Sequence, residues 1–148
     1  MKNTIIFAFL VLLIVSATAN SATIYVDENA AGNNDGASWT DAFISLQSAL
    51  DNSNSGDQIW VAAGTYKPGY DYGLGIGDRG KHFRMINGVS IFGGFSGTET
   101  NLTQRDCNIN ETILSADIGI VGDNSDNCYH VFYHPQGLQL DGTAVLDG

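Results

Sequence analysis

Every strand-like apolar run in the C-terminal two-thirds of this chain is short and bounded by turn residues. Ile59-Trp60-Val61-Ala62, Val89 to Phe92, Thr112-Ile113-Leu114 and His130 to Tyr133 start near positions 59, 89, 112 and 130, at irregular intervals. Two further short runs lie outside this set: Ile24-Tyr25-Val26 before it and Val145-Leu146 after it. The runs are apolar on nearly every residue instead of alternating. Strands covered on both faces, or bent by flanking glycines, have that pattern. A β-sandwich would call for longer alternating strands and hairpin turns. Short strands with variable loops suit stacked coils, each pairing with the next and sharing one apolar interior. The expected fold is therefore an all-β solenoid.

One helix is expected over residues 41–51, capped by Ser38 or Thr40, because Ala42, Phe43, Leu46, Ala49 and Leu50 share a face at helical spacing. Residues 83–86 form a further candidate strand, and Asn87-Gly88 is a tight-turn signal. Residues 67–81 are rich in Gly and Tyr and have no periodicity.

The first residues read as a secretory signal. Lys2 is followed by an apolar run over residues 5–15, within the span of a signal core and too short to cross a bilayer. Ala17-Thr18-Ala19 supplies an A-x-A cleavage pattern, with Ala22 as a second candidate and a retained anchor as the rival. This divides the chain into a signal peptide, 1–19, and a domain, 23–148. The domain would be secreted or at the cell surface, and no later run is long enough to span a membrane.

Sixteen Asp and Glu against six Lys and Arg give a formal net charge of -10. Scattered cations make no basic stripe, which argues against a nucleic-acid partner. Outside the cytoplasm, Cys107 and Cys128 are expected to form a disulfide. The alternative is two small buried apolar residues. Asn33-x-Asp35-Gly36 and Asp123-x-x-Asp126 are pieces of calcium-binding loops without the full spacing, so Asp35, Asp123 and Asp126 are candidate Ca²⁺ ligands against the plainer reading of turn caps. No other cofactor is indicated. Asn101-Leu-Thr and Asn110-Glu-Thr are sequons that matter only in a host that glycosylates.

Three segments carry a family resemblance. They are Tyr25-Val-Asp27 with Gly36, Ser38, Trp39, Asp41, Ala42 and Phe43; Gly56-Asp57 through Gly64-Thr65-Tyr66; and Asn87-Gly88 through Phe95, Gly97, Glu99 and Thr100. In this order the chain resembles the N-terminal region of bacterial secreted right-handed parallel β-helix proteins, the pectin-lyase-like and polymorphic outer-membrane proteins, and the resemblance implies that the solenoid is a right-handed parallel β-helix. The resemblance implies an N-terminal cap, with a short helix over Trp39, Phe43, Leu46 and Trp60. It also implies that the chain opens a longer protein, so a fragment is expected. The implied role is a non-catalytic surface module for adhesion or glycan contact, with polysaccharide or cell-surface glycan as partner. The alternative is the start of a polysaccharide lyase or glycoside hydrolase whose active site lies downstream.

No catalytic set emerges within the chain. Gly75-x-Gly77-x-x-Gly80 matches a dinucleotide motif, but such a motif works only between a strand and a helix. His82, His130 and His134 lack a nucleophile elbow. Arg79, Arg84 and Arg105 match no lyase motif, so no lyase site carries over.

Overall fold

The computed structural model describes residues 21–148. The signal segment 1–19 lies outside them, so the export expectation is not addressed by the fold. Strands β1 (Thr23–Val26), β2 (Gln58–Ala62), β4 (Ser90–Phe95) and β6 (Val145–Asp147) form one sheet in the order β1-β2-β4-β6. Strands β3 (Gly64–Tyr66) and β5 (Thr112–Leu114) form a second. Every pair in both sheets is parallel. Helix α1 (Leu46–Asn52) lies between β1 and β2.

Register explains the apolar runs. Ile24, Ile59, Ile91 and Leu146 are partners across the four strands, and Tyr25, Trp60 and Phe92 are partners one position on. Neighbouring residues on a strand face opposite ways. Ile24, Val26, Ile59, Val61 and Ile91 enter the main core together with Leu46, Ala49 and Leu50 of α1. On the other face Trp60 stacks on Phe95 at 4.7 Å, and Tyr25 meets Trp39 at 4.8 Å. Both faces are covered, so no alternation was needed.

The molecule is a small α/β structure, which corrects the all-β right-handed parallel β-helix expected from the sequence. The connections do not repeat one coil: β1 reaches β2 through a helix, whereas β2 reaches β4 through β3 and a long loop. The helix packs Leu46, Ala49 and Leu50 into the core beside β1 and β2. Of the four expected cap residues, Phe43 and Leu46 join the helix-side core, while Trp39 and Trp60 lie on the aromatic face. The expected strands at 83–86 and 130–133 shrink to a single bridge between Phe83 and Phe132.

The helix also begins later than the periodicity suggests. Phe43 is extended: its N–H donates to Tyr25 O (2.9 Å) and its carbonyl accepts from Asp27 N–H (3.0 Å). Asp41 O accepts the N–H groups of Asp35 and Gly36, both at 2.9 Å. Backbone committed to these bonds cannot join a helical ladder. Ser45 then precedes the first turn without a side-chain cap, so burial of Leu46, Ala49 and Leu50 holds the short helix.

Two glycines are required by geometry. Gly36 has φ +76°, and a methyl there would sit 2.6 Å from the Phe43 ring. Gly94 has φ +90°, and its Cβ would meet Cys107 Sγ at 2.6 Å. Gly93-Gly94 does not end the strand. It forms a bulge, so that Trp60 pairs with Phe92 but Ala62 pairs with Phe95.

Two buried carboxylates are held by backbone donors. Asp57 accepts from Ala22 N–H (2.9 Å) and Asn54 N–H (2.8 Å) and so closes the turn before β2. Glu99 accepts from Ser96, Gly97 and Thr98 N–H at 2.7, 3.1 and 3.0 Å, while its carbonyl takes the Trp39 indole N–H at 2.8 Å. Burial works to raise the Glu99 pKa, but these donors outweigh it and hold the carboxyl below its usual range.

Ile59 is fully buried at the centre of the ladder. Ile59→Ala is expected to cost about 2–5 kcal/mol in denaturant unfolding with an unchanged m-value. Glu99 binds its proton less readily folded than unfolded. Its contribution is therefore complete at neutral pH and is lost as pH falls below about 4. Melting curves across that range should show an acid-side decline that is smaller in Glu99→Gln, and that variant should melt lower at pH 7.

Candidate functional site

The loop over residues 67–82 and the segment 127–134 meet beside the Phe83–Phe132 bridge. Phe83 N–H donates to Val131 O (2.8 Å) and Tyr133 N–H donates to Phe83 O (3.2 Å). Tyr129 N–H donates to Arg79 O (2.9 Å), tying the second segment to the first. Between them lies a cleft of about 230 Å³ lined by Leu74, Ile76, Arg79, Lys81, Tyr129, His130 and Tyr133, with His82 at its base.

Aromatic rings run through this region as a ladder. Ring centres are 4.9 Å apart for Tyr70 and Tyr72, 5.1 Å for Tyr72 and His82, 5.2 Å for His82 and Tyr133, and 5.3 Å for Tyr133 and His130. Cations sit on one ring of the ladder and on a ring beside it: Arg84 lies 4.0 Å above Tyr72 and Arg79 lies 4.4 Å above Tyr129. Both distances are within the range where the ring quadrupole attracts a guanidinium. Arg79 Nε–H also donates to Asn127 O (2.9 Å).

The buried member is His82, which is 1% exposed. Its Nδ1 lies 2.7 Å from Gly80 O, and its Nε2 accepts from Arg84 Nε–H at 3.1 Å. Those partners select the tautomer with the proton on Nδ1. Both nitrogens are committed, so His82 is a structural strut. His134 Nε2 accepts from Met85 N–H (2.9 Å), and burial, reinforced by the charge of Arg84, holds its pKa below the usual histidine value. Tyr72 has φ +50°, uncommon for an aromatic residue, and its hydroxyl is bonded to Gln47 Nε2. Burial, followed by the charge of Asp51, raises its pKa, so the phenol stays protonated. A larger groove of about 500 Å³ follows on the far side of Tyr72 and Arg84, reaching Asn87 and Leu140.

The sequence-level candidates fare differently. The Gly75–Gly77–Gly80 motif is a loop ending in one three-residue 3₁₀ turn, Asp78–Gly80, with no strand leading in and no helix following. No phosphate cradle forms there. The trio Asp35, Asp123 and Asp126 is not gathered, and among the described residues no three His, Cys, Asp or Glu form a metal-binding group. Asp35 Oδ1 accepts from Ala37 N–H (3.0 Å) and Asp123 Oδ1 from Ser125 N–H (2.8 Å), so each caps its own turn. Asp126 alone of the three faces inward.

The expected Cys107–Cys128 disulfide is also corrected, since both are free thiols. Cys107 is exposed on the turn under Gly94, whereas Cys128 is buried, with its N–H on Ala116 O at 2.9 Å. The two belong to separate turns, one at the bulge of β4 and one beyond β5. Burial pushes the Cys128 thiol up.

The aromatic ladder was not recognised from the sequence. Its signal was present: four of the six tyrosines and three of the six Lys and Arg fall at 70, 72, 79, 81, 84, 129 and 133. The stretch 67–81 read as a Gly/Tyr loop because nothing in one sequence shows that 129–133 returns to it. No family model, curated protein or solved structure matches the chain.

A thiol reagent such as Ellman's should modify Cys107 in the folded protein and reach Cys128 only on unfolding. Two equally fast thiols, or none under non-reducing conditions, would contradict this arrangement.

Proposed function

We propose that this chain is an exported, non-catalytic module that contacts glycan outside the cell or at its surface. The supporting observation is the cleft bounded by Tyr129, Tyr133 and His130, with Arg79 and Lys81 on its walls. Sugar rings present apolar C–H faces that stack on aromatic rings, and their hydroxyls need donors and acceptors at the edges. A shallow cleft with rigid aromatic walls and a few cations meets both needs. Tyr129 is 57% exposed and carries Arg79 over its ring, so an accessible aromatic surface and a cation lie side by side.

Charge narrows the ligand. The chain is strongly acidic overall, but screening limits distant charges to about 8 Å at physiological salt. Inside the cleft Arg79 and Lys81 dominate, although Lys81 is paired with Asp78 at 2.8 Å. Sugars carrying a carboxylate or sulfate are therefore favoured over neutral ones. Export rests on the apolar run at residues 5–15 and Ala17-Thr18-Ala19. Among the described residues no helix is long and apolar enough to cross a membrane.

Titration calorimetry against acidic and neutral oligosaccharides tests the reading. Tyr129→Ala removes one stacking face, worth about 1 kcal/mol, and should weaken binding about fivefold without lowering the melting temperature. Arg79→Ala should weaken acidic sugars more than neutral ones. Absence of binding to any sugar, or an unchanged affinity in Tyr129→Ala, would sink the proposal.

A further inference from the structure

We propose that the groove on the far side of Tyr72 binds a small amphipathic carboxylate, with Arg84 holding the carboxylate and the walls holding an apolar body. The groove has a volume of about 500 Å³, which falls in the range of roughly 300–1,000 Å³ typical of small-molecule sites. Three separate segments build it: the end of α1, residues 84–87 and residues 138–140. Leu50, Met85, Ile86, Leu138 and Leu140 supply apolar surface. Leu138 and Leu140 are 45% and 39% exposed, so two large apolar side chains stand open together on one wall.

The walls are held in place by their own polar groups. Asn87 Nδ2–H donates to Gln139 O (3.0 Å), and Asn87 Oδ1 accepts from Asp141 N–H (3.0 Å). Leu138 N–H donates to Pro135 O (3.0 Å). At the end of α1, Ser53 Oγ–H donates to Leu50 O (2.9 Å). Asn87 and Ser53 are thereby spent on neighbouring backbone. A ligand rich in hydroxyls would meet few free partners here and would be desolvated at a cost, whereas an apolar body would not.

Arg84 is the exception. Its Nε–H donates to His82 Nε2 (3.1 Å), and its guanidinium lies 4.0 Å above the Tyr72 ring. These two contacts fix the plane of the fork. The ion pairs among the described residues are Lys81 with Asp78 and Arg105 with Asp147, so Arg84 lacks a carboxylate partner in a chain with sixteen Asp and Glu. The terminal nitrogens of a fixed guanidinium match the two oxygens of a carboxylate. Asp51 lines the same groove without pairing with Arg84. Its charge opposes a polyanion and so selects a ligand with a single negative charge. The groove differs in this from the cleft at Tyr129, and the inference does not rest on the glycan reading.

The full chain is titrated with octanoate by calorimetry, and with octylammonium as the cation of equal chain length. Octanoate should bind at a single site with a Kd of about 1 mM or tighter. Octylammonium should bind about tenfold more weakly or not at all. Each methylene removed from the fatty acid should weaken binding about threefold, since less apolar surface then enters the groove. Arg84→Gln should weaken octanoate about tenfold. Leu140 is exposed, so Leu140→Glu should weaken octanoate without lowering the melting temperature, a result that holds even where Arg84→Gln does not fold. Backbone amide resonances of residues 84–87 and 138–140 should shift during the titration.

Shifts confined to residues 74–81 and 129–133 would overturn the placement. No octanoate heat in the unmutated chain, or equal affinity for octanoate and octylammonium, would overturn the ligand. A dimer in sedimentation that Leu140→Glu dissociates would assign the groove to a second copy of the chain and overturn the proposal.

Discussion

The ladder of Ile24, Ile59, Ile91 and Leu146, one residue from each strand of the larger sheet, is the contact on which the other packing depends. Each fully buried isoleucine is worth about 1.5–3 kcal/mol of transfer free energy. Its register decides which face of β1 and β2 meets α1 and which face carries Tyr25 and Trp60. A slip of one residue would exchange Ile59 for Trp60 and Ile91 for Phe92. The uncapped helix could not persist without this surface, because seven residues are too few to be helical alone.

Short strands have a second consequence, which is that loops carry most of the chain. Those loops are ordered by side chains acting on backbone: Asp57 before β2, Glu99 after β4, Asp126 beyond β5. In an acidic chain with few cations, backbone N–H groups replace Lys and Arg as partners for carboxylates. The few cations are then available to stack on Tyr72 and Tyr129. The cationic walls of the cleft follow from this division of charge.

Much of the fold was legible in local patterns. Ile24-Tyr25-Val26, Ile59 to Ala62, Val89 to Phe92, Thr112 to Leu114 and Val145-Leu146 all contribute to strands. The helix was found but drawn too long, because spacing shows which residues share a face and not which backbone groups are already bonded to Tyr25 and Asp27. The candidate strands at 83–86 and 130–133 had strand-like composition, yet only Phe83 and Phe132 pair. Within the site, Arg79, His82, Tyr129 and Tyr133 were visible as residues, but nothing local showed that residues 70–84 and 129–133 meet.

The sequence by itself determined that the strands would be short, apolar on both faces and joined by polar loops, since those properties follow from residue type and local turn chemistry. It did not determine how the coils close. The replacement of a repeating solenoid by a small α/β structure was a tertiary decision, made where Phe43 bonds Tyr25 and α1 packs on Ile59. The separation of Cys107 from Cys128, and the meeting of residues 70–84 with 129–133, were decided at the same level. Each depends on contacts between distant segments, and such contacts are selected by the free energy of the whole packed chain.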